Sequence, residues 1–286
     1  MYPRPFDYAR AGSVEEALDL RSQTGGKFIA GGHSILPMMK IHVMSPEALV
    51  DIGRIEELRG ISKNGGFTIG ALTTHAVVAS AGDAAFPGGL REAASMIGDP
   101  QVRNRGTVGG NVAHADPASD LPTVFTGLGA TMKATSKDGS RDIAASDFFT
   151  GLFESALEED EILTAIEVDA ESGNRGSAYA KMFNPASRYA VVGAFASVEM
   201  GDDGSCTSAR VAVGGLTPHA LLIDSVADAL VGNPITEENA RKASRGAVDA
   251  VGDDVMGDTY ASAEYRKRML PVFVARALLE AGSRAD

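Results

Sequence analysis

Cysteine is almost absent from this chain: Cys206 is the only one in 286 residues. One thiol cannot close an intramolecular disulfide, ligate an iron–sulfur cluster or build a cysteine-rich zinc site. Any redox chemistry therefore needs a borrowed cofactor, and Cys206, in Gly-Asp-Asp-Gly-Ser-Cys, reads as an incidental turn residue. Basic residues are also scarce, 26 Lys plus Arg against 38 Asp plus Glu, for a formal charge of −12. That balance argues against nucleic-acid binding, which leaves a basic footprint. No apolar run reaches the length of a membrane span, and the N-terminus lacks the apolar core of a signal peptide. A soluble, cytoplasmic chain without a transmembrane segment is expected. Missing too are a Ser–His–Asp or Cys–His constellation and any carboxylate pair whose spacing alone implies acid–base chemistry.

Glycine, by contrast, is concentrated where it can matter. Between Ile97 and Pro122 the chain reads I-G-D-P-Q-V-R-N-R-G-T-V-G-G-N-V-A-H-A-D-P-A-S-D-L-P. No bulky side chain interrupts Thr107 to Ala113, and Gly106, Gly109 and Gly110 let the backbone approach a ligand closely. Such a concavity of amides suits anions, phosphate above all. The alternative is a tight glycine turn packed under another strand. Pro117 to Asp120 reads as the first turn of a helix continuing through Thr123 and Phe125, where free N–H groups favour negative charge. A second stretch, Ala30-Gly31-Gly32-His33-Ser34, follows the apolar pair Phe28-Ile29 and precedes a helix with Pro37 in its first turn. Neither stretch has Rossmann or Walker spacing. Two such turns suggest a diphosphate clamped from two sides, with Lys40, Arg103 and Arg105 as the nearby cations.

In chain order, Ser13-Val-Glu-Glu16 is a capping box opening a helix through Leu20. The strand–helix–strand alternation to Ile52 makes a small α/β lobe. A second lobe starts with a hairpin at Asn64-Gly65. It continues through a helix at Leu90–Ile97 and strands around Asp138-Gly139, and closes at Ile162–Val168. Glu171 to Gly176 is a polar boundary. Beyond it, Ser177–Phe183, Val191–Met200 and Thr207–Gly214 form an antiparallel meander, followed by helices at Ile223–Val231, Glu237–Val251 and Ala261–Ala281, the last interrupted by Pro271. The organisation expected is residues 1–175 (lobes of about 1–57 and 58–175) and residues 176–286.

With A-G-G-H-S followed by L-P-M-M-K, and D-P-Q-V-R-N-R-G-T-V-G-G-N followed by A-H-A-D-P-A-S-D-L-P, the chain resembles the FAD-binding medium subunit of molybdenum hydroxylases. Within that superfamily it is most similar to medium chains of the aerobic carbon monoxide dehydrogenase type. The resemblance implies an α+β fold: a two-lobed FAD-binding domain of the vanillyl-alcohol-oxidase type, then a small α+β domain with a three-stranded antiparallel sheet and helices. It implies FAD contacts from Ala30, Gly31, Gly32, His33 (through its backbone N–H more than its ring) and Ser34, and from Thr107, Val108, Gly109, Gly110 and Asn111. Asp120 alone could be only a helix-start carboxylate; the resemblance places it on the ribose or adenosine half of FAD. Ile97, Leu163, Lys181 and Tyr189 are assigned to the flavin by resemblance alone. His42, His75 and His219 carry no motif and read as surface or packing residues. His114-Ala-Asp116 with Asp120 lacks the spacing of metal triads.

The resemblance further implies partners: a large subunit with the molybdenum cofactor and a small subunit with two [2Fe-2S] clusters, as a dimer of heterotrimers. Electrons would pass through the clusters to this FAD and on to a quinone, NAD or oxygen. The alternatives are a self-contained FAD oxidase, a medium subunit serving aldehydes or N-heterocycles, and a phosphate-binding module without redox chemistry.

Overall fold

A computed structural model of the chain describes residues 2–171 and 173–285; Ser172, in the expected boundary segment, lies outside the described residues. The first unit is a parallel sheet of β1 (Asp7–Arg10), β2 (Lys27–Ile29) and β3 (Ala48–Asp51), in order β1-β3-β2, with helices α1 (Val14–Thr24) and α2 (Ile35–Lys40) as crossovers. The capping box at its start is real but shifted. Ser13 Oγ accepts from Glu16 N–H at 3.1 Å, while Glu16 reaches Gly12 N–H at 2.7 Å, one residue before the cap. Gly25 ends α1 with φ +63° and returns its N–H to Arg21, the left-handed conformation that glycine adopts without a Cβ penalty.

The second unit contributes β4 (Ile61–Asn64), β5 (Gly66–Gly70), α3 (His75–Ala79), α4 (Gly88–Met96), α5 (Pro100–Arg105), α6 (Val108–His114), α7 (Asp120–Leu128), β6 (Thr131–Ser136) and β7 (Gly139–Ala144). It ends with the single-turn α8 (Ala145–Phe148), the small ladder β8 (Phe149–Gly151) with β9 (Glu154–Ser155), and β10 (Ile162–Asp169). The antiparallel sheet order is β4-β5-β10-β6-β7. The weakly alternating segment at Ile162 therefore closes the unit in sequence yet lies at the centre of the sheet. Its apolar residues face two ways: Leu163 and Ile166 join the core around Phe86, Phe125 and Phe148, whereas Ile162 joins the core of the first unit.

The third unit holds β11 (Arg175–Phe183), β12 (Ala190–Met200), β13 (Cys206–Gly214) and a two-residue β14 (Leu221–Leu222). The expected meander thus gains a fourth, very short strand. Helices α9 (Asp224–Leu230), α10 (Glu237–Ser244), α11 (Gly246–Val251) and α12 (Ala263–Ser283) follow. The single helix expected over 237–251 breaks at Arg245–Gly246, and α12 runs through Pro271 without stopping. Helix α12 packs against β11 and β12, and α4 and α7 pack against the same sheet. That accounts for the unbroken burial of Ala190–Ala196, since a strand covered on both faces has no polar side to alternate with. Gly127 and Gly89 allow that approach: a Cβ there would stand 2.1 and 2.7 Å from the Phe195 ring. Cys206, expected in a turn, is instead buried at the start of β13, its thiol against Ser208 O at 3.2 Å.

Candidate cofactor site

A cavity of about 480 Å³ runs from Lys27, Phe28 and Ile52 in the first unit to Tyr189 in the third. On one wall is the β2–α2 loop. The N–H groups of Gly32, His33 and Ser34 find no acceptor among the described residues, which leaves them as donors along the loop. Gly32 has φ +75°, so the turn favours a residue without Cβ. His33 is exposed, and its Nδ1 lies 3.1 Å from Gly31 O.

The opposite wall is the 107–111 segment, and here the structure corrects the sequence reading. Thr107 to Ala113 is not an open glycine turn but the cap and body of α6, with Thr107 Oγ1 accepting from Gly110 N–H at 3.2 Å. Its other first amides are engaged as well: Val108 N–H donates to Thr73 O at 2.9 Å, Gly109 N–H to Ala71 O at 2.8 Å and Asn111 N–H to Thr107 O at 3.0 Å. The Val108 side chain is fully buried in the second core and does not line the cavity. Gly109 is needed for packing, since a Cβ would meet Ala71 Cβ at 2.4 Å. Gly110 instead faces the gap, where a Cβ would meet Thr107 Oγ1 at 2.7 Å and Ala30 Cβ at 3.8 Å. Asn111 donates to Ser119 Oγ at 3.1 Å, while its Oδ1 is buried without a partner among the described residues.

Ile97, Leu163, Asp120 and Tyr189 also line the cavity. Asp120, 4 % exposed at the start of α7, is already held by the protein. Tyr179 Oη donates to its Oδ1 and Lys181 Nζ to its Oδ2, both at 2.7 Å. Tyr179 and Lys181 are two apart on β11 and so share one face of that strand. Lys181 does not reach the cavity lining; its side chain is 1 % exposed and it acts through Asp120, with a further contact to Met96 O at 3.3 Å. Burial pushes the Asp120 carboxyl up, and Lys181 and Tyr179 partly offset it. Gly193, paired with Lys181 in the sheet, makes room for the Tyr179 hydroxyl, which would lie 2.4 Å from a Cβ there. Tyr179 was absent from the sequence reading. The i, i+2 spacing to Lys181 was the signal available for it.

Two further groups bear on the site. Of the surface and packing readings open for His75, the structure gives packing: it is 3 % exposed, its ring packs beside Gly106, and its Nδ1 has no partner among the described residues. Burial first, then the neighbouring His33 and Arg103, lowers its pKa to about 4. The cations expected at the clamp are elsewhere. Arg103 is turned to the carbonyls of Ile97 and Gly98, and neither Lys40 nor Arg105 lines the cavity. Tyr189, 40 % exposed as a residue, has its hydroxyl pushed up to about 12 by burial and then by the charges of Asp116 and Asp120.

The comparisons with known proteins decide the family. The FAD binding domain in molybdopterin dehydrogenase matches residues 4–169, and the CO dehydrogenase flavoprotein C-terminal domain matches residues 177–281. This chain belongs to the FAD-binding medium subunits of molybdenum hydroxylases. It is similar to the carbon monoxide dehydrogenase medium chain of Afipia carboxidovorans, 36 % identical over 100 % of this chain and 99 % of that one. Another relative is the glyceraldehyde dehydrogenase medium chain of Sulfolobus acidocaldarius, 32 % identical over 98 % and 99 %. Among solved structures, carbon monoxide dehydrogenase from Hydrogenophaga pseudoflava superposes with TM-score 0.94, covering all of both chains at 36 % identity. As a member of this family the chain is a flavoprotein subunit of an oxidoreductase.

The residues present fit such a cofactor. A glycine-lined cradle with unengaged amides lies against a gap that a side chain on Gly110 would fill, and Asn111 offers a buried, unpartnered oxygen beside it.

Proposed function

We propose that this chain is the electron-transfer subunit of a heterotrimeric molybdenum hydroxylase of the carbon monoxide dehydrogenase kind. The full-length likeness to a carbon monoxide dehydrogenase medium chain carries this reading. Substrate is oxidised at a molybdenum cofactor on a large partner, electrons pass through two [2Fe-2S] clusters on a small partner, and they leave here to a quinone, NAD or oxygen. FAD supplies the exchange between single-electron and two-electron carriers, and the protein supplies position and electrostatics. The amides of Gly32–Ser34 and the Gly110 gap hold the diphosphate, and Asp120, fixed by Tyr179 and Lys181, orients the cofactor. Tyr189 stands at the exposed end of the cavity, where an acceptor approaches. Residues 1–175 form the FAD-binding domain, with lobes of about 1–57 and 58–175, and residues 176–286 cover the flavin and meet the partners. The holoenzyme is a cytoplasmic dimer of heterotrimers; among the described residues no helix is long and apolar enough to cross a membrane.

The test is dye reduction by the lone subunit and by the trimer reconstituted with both partners. The substrates are carbon monoxide and a panel of aldehydes and N-heterocycles. Turnover of carbon monoxide by the trimer alone is expected. Turnover by the lone subunit contradicts the electron-transfer role, and turnover only of an aldehyde or heterocycle moves the chain to another member of the family.

A further inference from the structure

The two clamp segments also touch back to back. Gly31 lies against the end of α5 so closely that a Cβ would stand 2.2 Å from the Arg105 carbonyl oxygen. Behind this contact a second cavity of about 410 Å³ opens, sharing Ala30, Gly31, Gly32 and Thr107 with the first. Its charge runs against that of the chain. Four arginines line it (Arg10, Arg54, Arg59 and Arg105) against a single acid, Asp51, in a protein whose net charge is −12. Asp51 is a poor counter-charge for the group, because it already takes the Tyr8 hydroxyl, the Gly53 N–H at 2.8 Å and, loosely, Arg10 at 3.4 Å. Arg59 is turned to the Gly53 carbonyl and to Glu56 at 3.6 Å. Arg54 and Arg105 have neither an ion-pair nor a hydrogen-bond partner for their side chains among the described residues.

We propose that this cavity is a second anion site, which takes the phosphate of a small phosphorylated molecule at Arg54 and Arg105. Guanidinium groups match phosphate oxygens in pairs. A phosphate monoester carries close to two negative charges, against one for a carboxylate, and so fits two free arginines better. The volume lies within the roughly 300–1,000 Å³ usual for small-molecule sites. Tyr8, 52 % exposed on the wall, offers a flat surface for the rest of the ligand. Because the clamp backbone is the partition between the cavities, each face of the same loops would carry an anion.

The experiment uses the flavin-loaded chain, so that phosphate cannot enter the first cavity. Inorganic phosphate and then ADP are titrated by calorimetry against chloride at matched ionic strength, with flavin absorbance followed throughout. Saturable binding is expected, weakened at least tenfold in R54A/R105A with flavin content unchanged. Both side chains are exposed and unpaired, so this variant should fold. G110V is expected to behave oppositely, losing flavin and keeping phosphate. If the chain retains no flavin, the same variants separate the two cavities in the flavin-free protein. Equal affinity in wild type and R54A/R105A overturns the proposal, as does the absence of saturable binding or displacement of flavin by ADP. Loss of phosphate binding on assembly with the partner subunits also overturns it, by assigning the arginines to a protein interface.

Discussion

Replacing Asp120 with alanine removes the carboxylate that pairs with Lys181, whose side chain is 1 % exposed. The ammonium would retain only the Met96 carbonyl at 3.3 Å, and the Tyr179 hydroxyl would lose its acceptor as well. Stranding one member of a buried ion pair costs about 3–5 kcal/mol. At roughly 2–4 °C per kcal/mol for a protein of this size, the melting temperature should fall by about 6–20 °C. Much of that cost is the uncompensated charge, so D120A/K181M should be more stable than D120A. A double-mutant cycle by thermal melting measures the coupling. The resemblance places Asp120 on the cofactor, but the Tyr179–Asp120–Lys181 network makes it a stability residue too. A D120A melting temperature within about 1 °C of wild type, or strictly additive single and double variants, would refute the reasoning.

Gly110→Val should abolish flavin binding while costing only about 1 kcal/mol, the worth of the Thr107 cap it disturbs; flavin content and melting temperature together check this. Gly31→Ala should lose both flavin and stability, because its Cβ would meet the Arg105 carbonyl oxygen at 2.2 Å, and urea unfolding separates it from the Gly110 variant. His75 is held neutral with a pKa near 4, below its usual 6.5. Unfolding lets it take up a proton, so its stabilising contribution is full above pH 6.5 and is lost as pH falls toward 4. The loss is at most about 3 kcal/mol, and His75→Gln should flatten the fall in urea midpoint across that window. Flavin should be noncovalent, leaving the polypeptide on acid precipitation.

The strands and helices were largely legible because their signals are local: the Ser13 box, the Asn64-Gly65 hairpin and the Asp203-Gly204 turn each lie within a few residues. Glycine-rich Thr107–Ala113 misled for a physical reason. Glycine there serves helix packing, Gly109 against Ala71, and a sequence does not separate that use from backbone exposed to a ligand. Asp120, Lys181 and Tyr179 lie up to 61 residues apart, so the third member and the engagement of both carboxylate oxygens were invisible until β11 was placed beside α7. His75 looked unremarkable for the same reason, since its burial depends on Gly106 coming to rest against its ring. Arg105, expected to help at the clamp, proved to face the other way because the preceding residues form α5 instead of continuing the loop.

The measurement that bears most directly on the account is the flavin absorption band of the purified, FAD-loaded chain under anaerobic carbon monoxide, alone and after both partner subunits are added. The band should persist in the lone chain and bleach only in the reconstituted complex. Bleaching of the lone chain by substrate, or an unbleached flavin in a complex whose iron–sulfur clusters have been reduced, would contradict it.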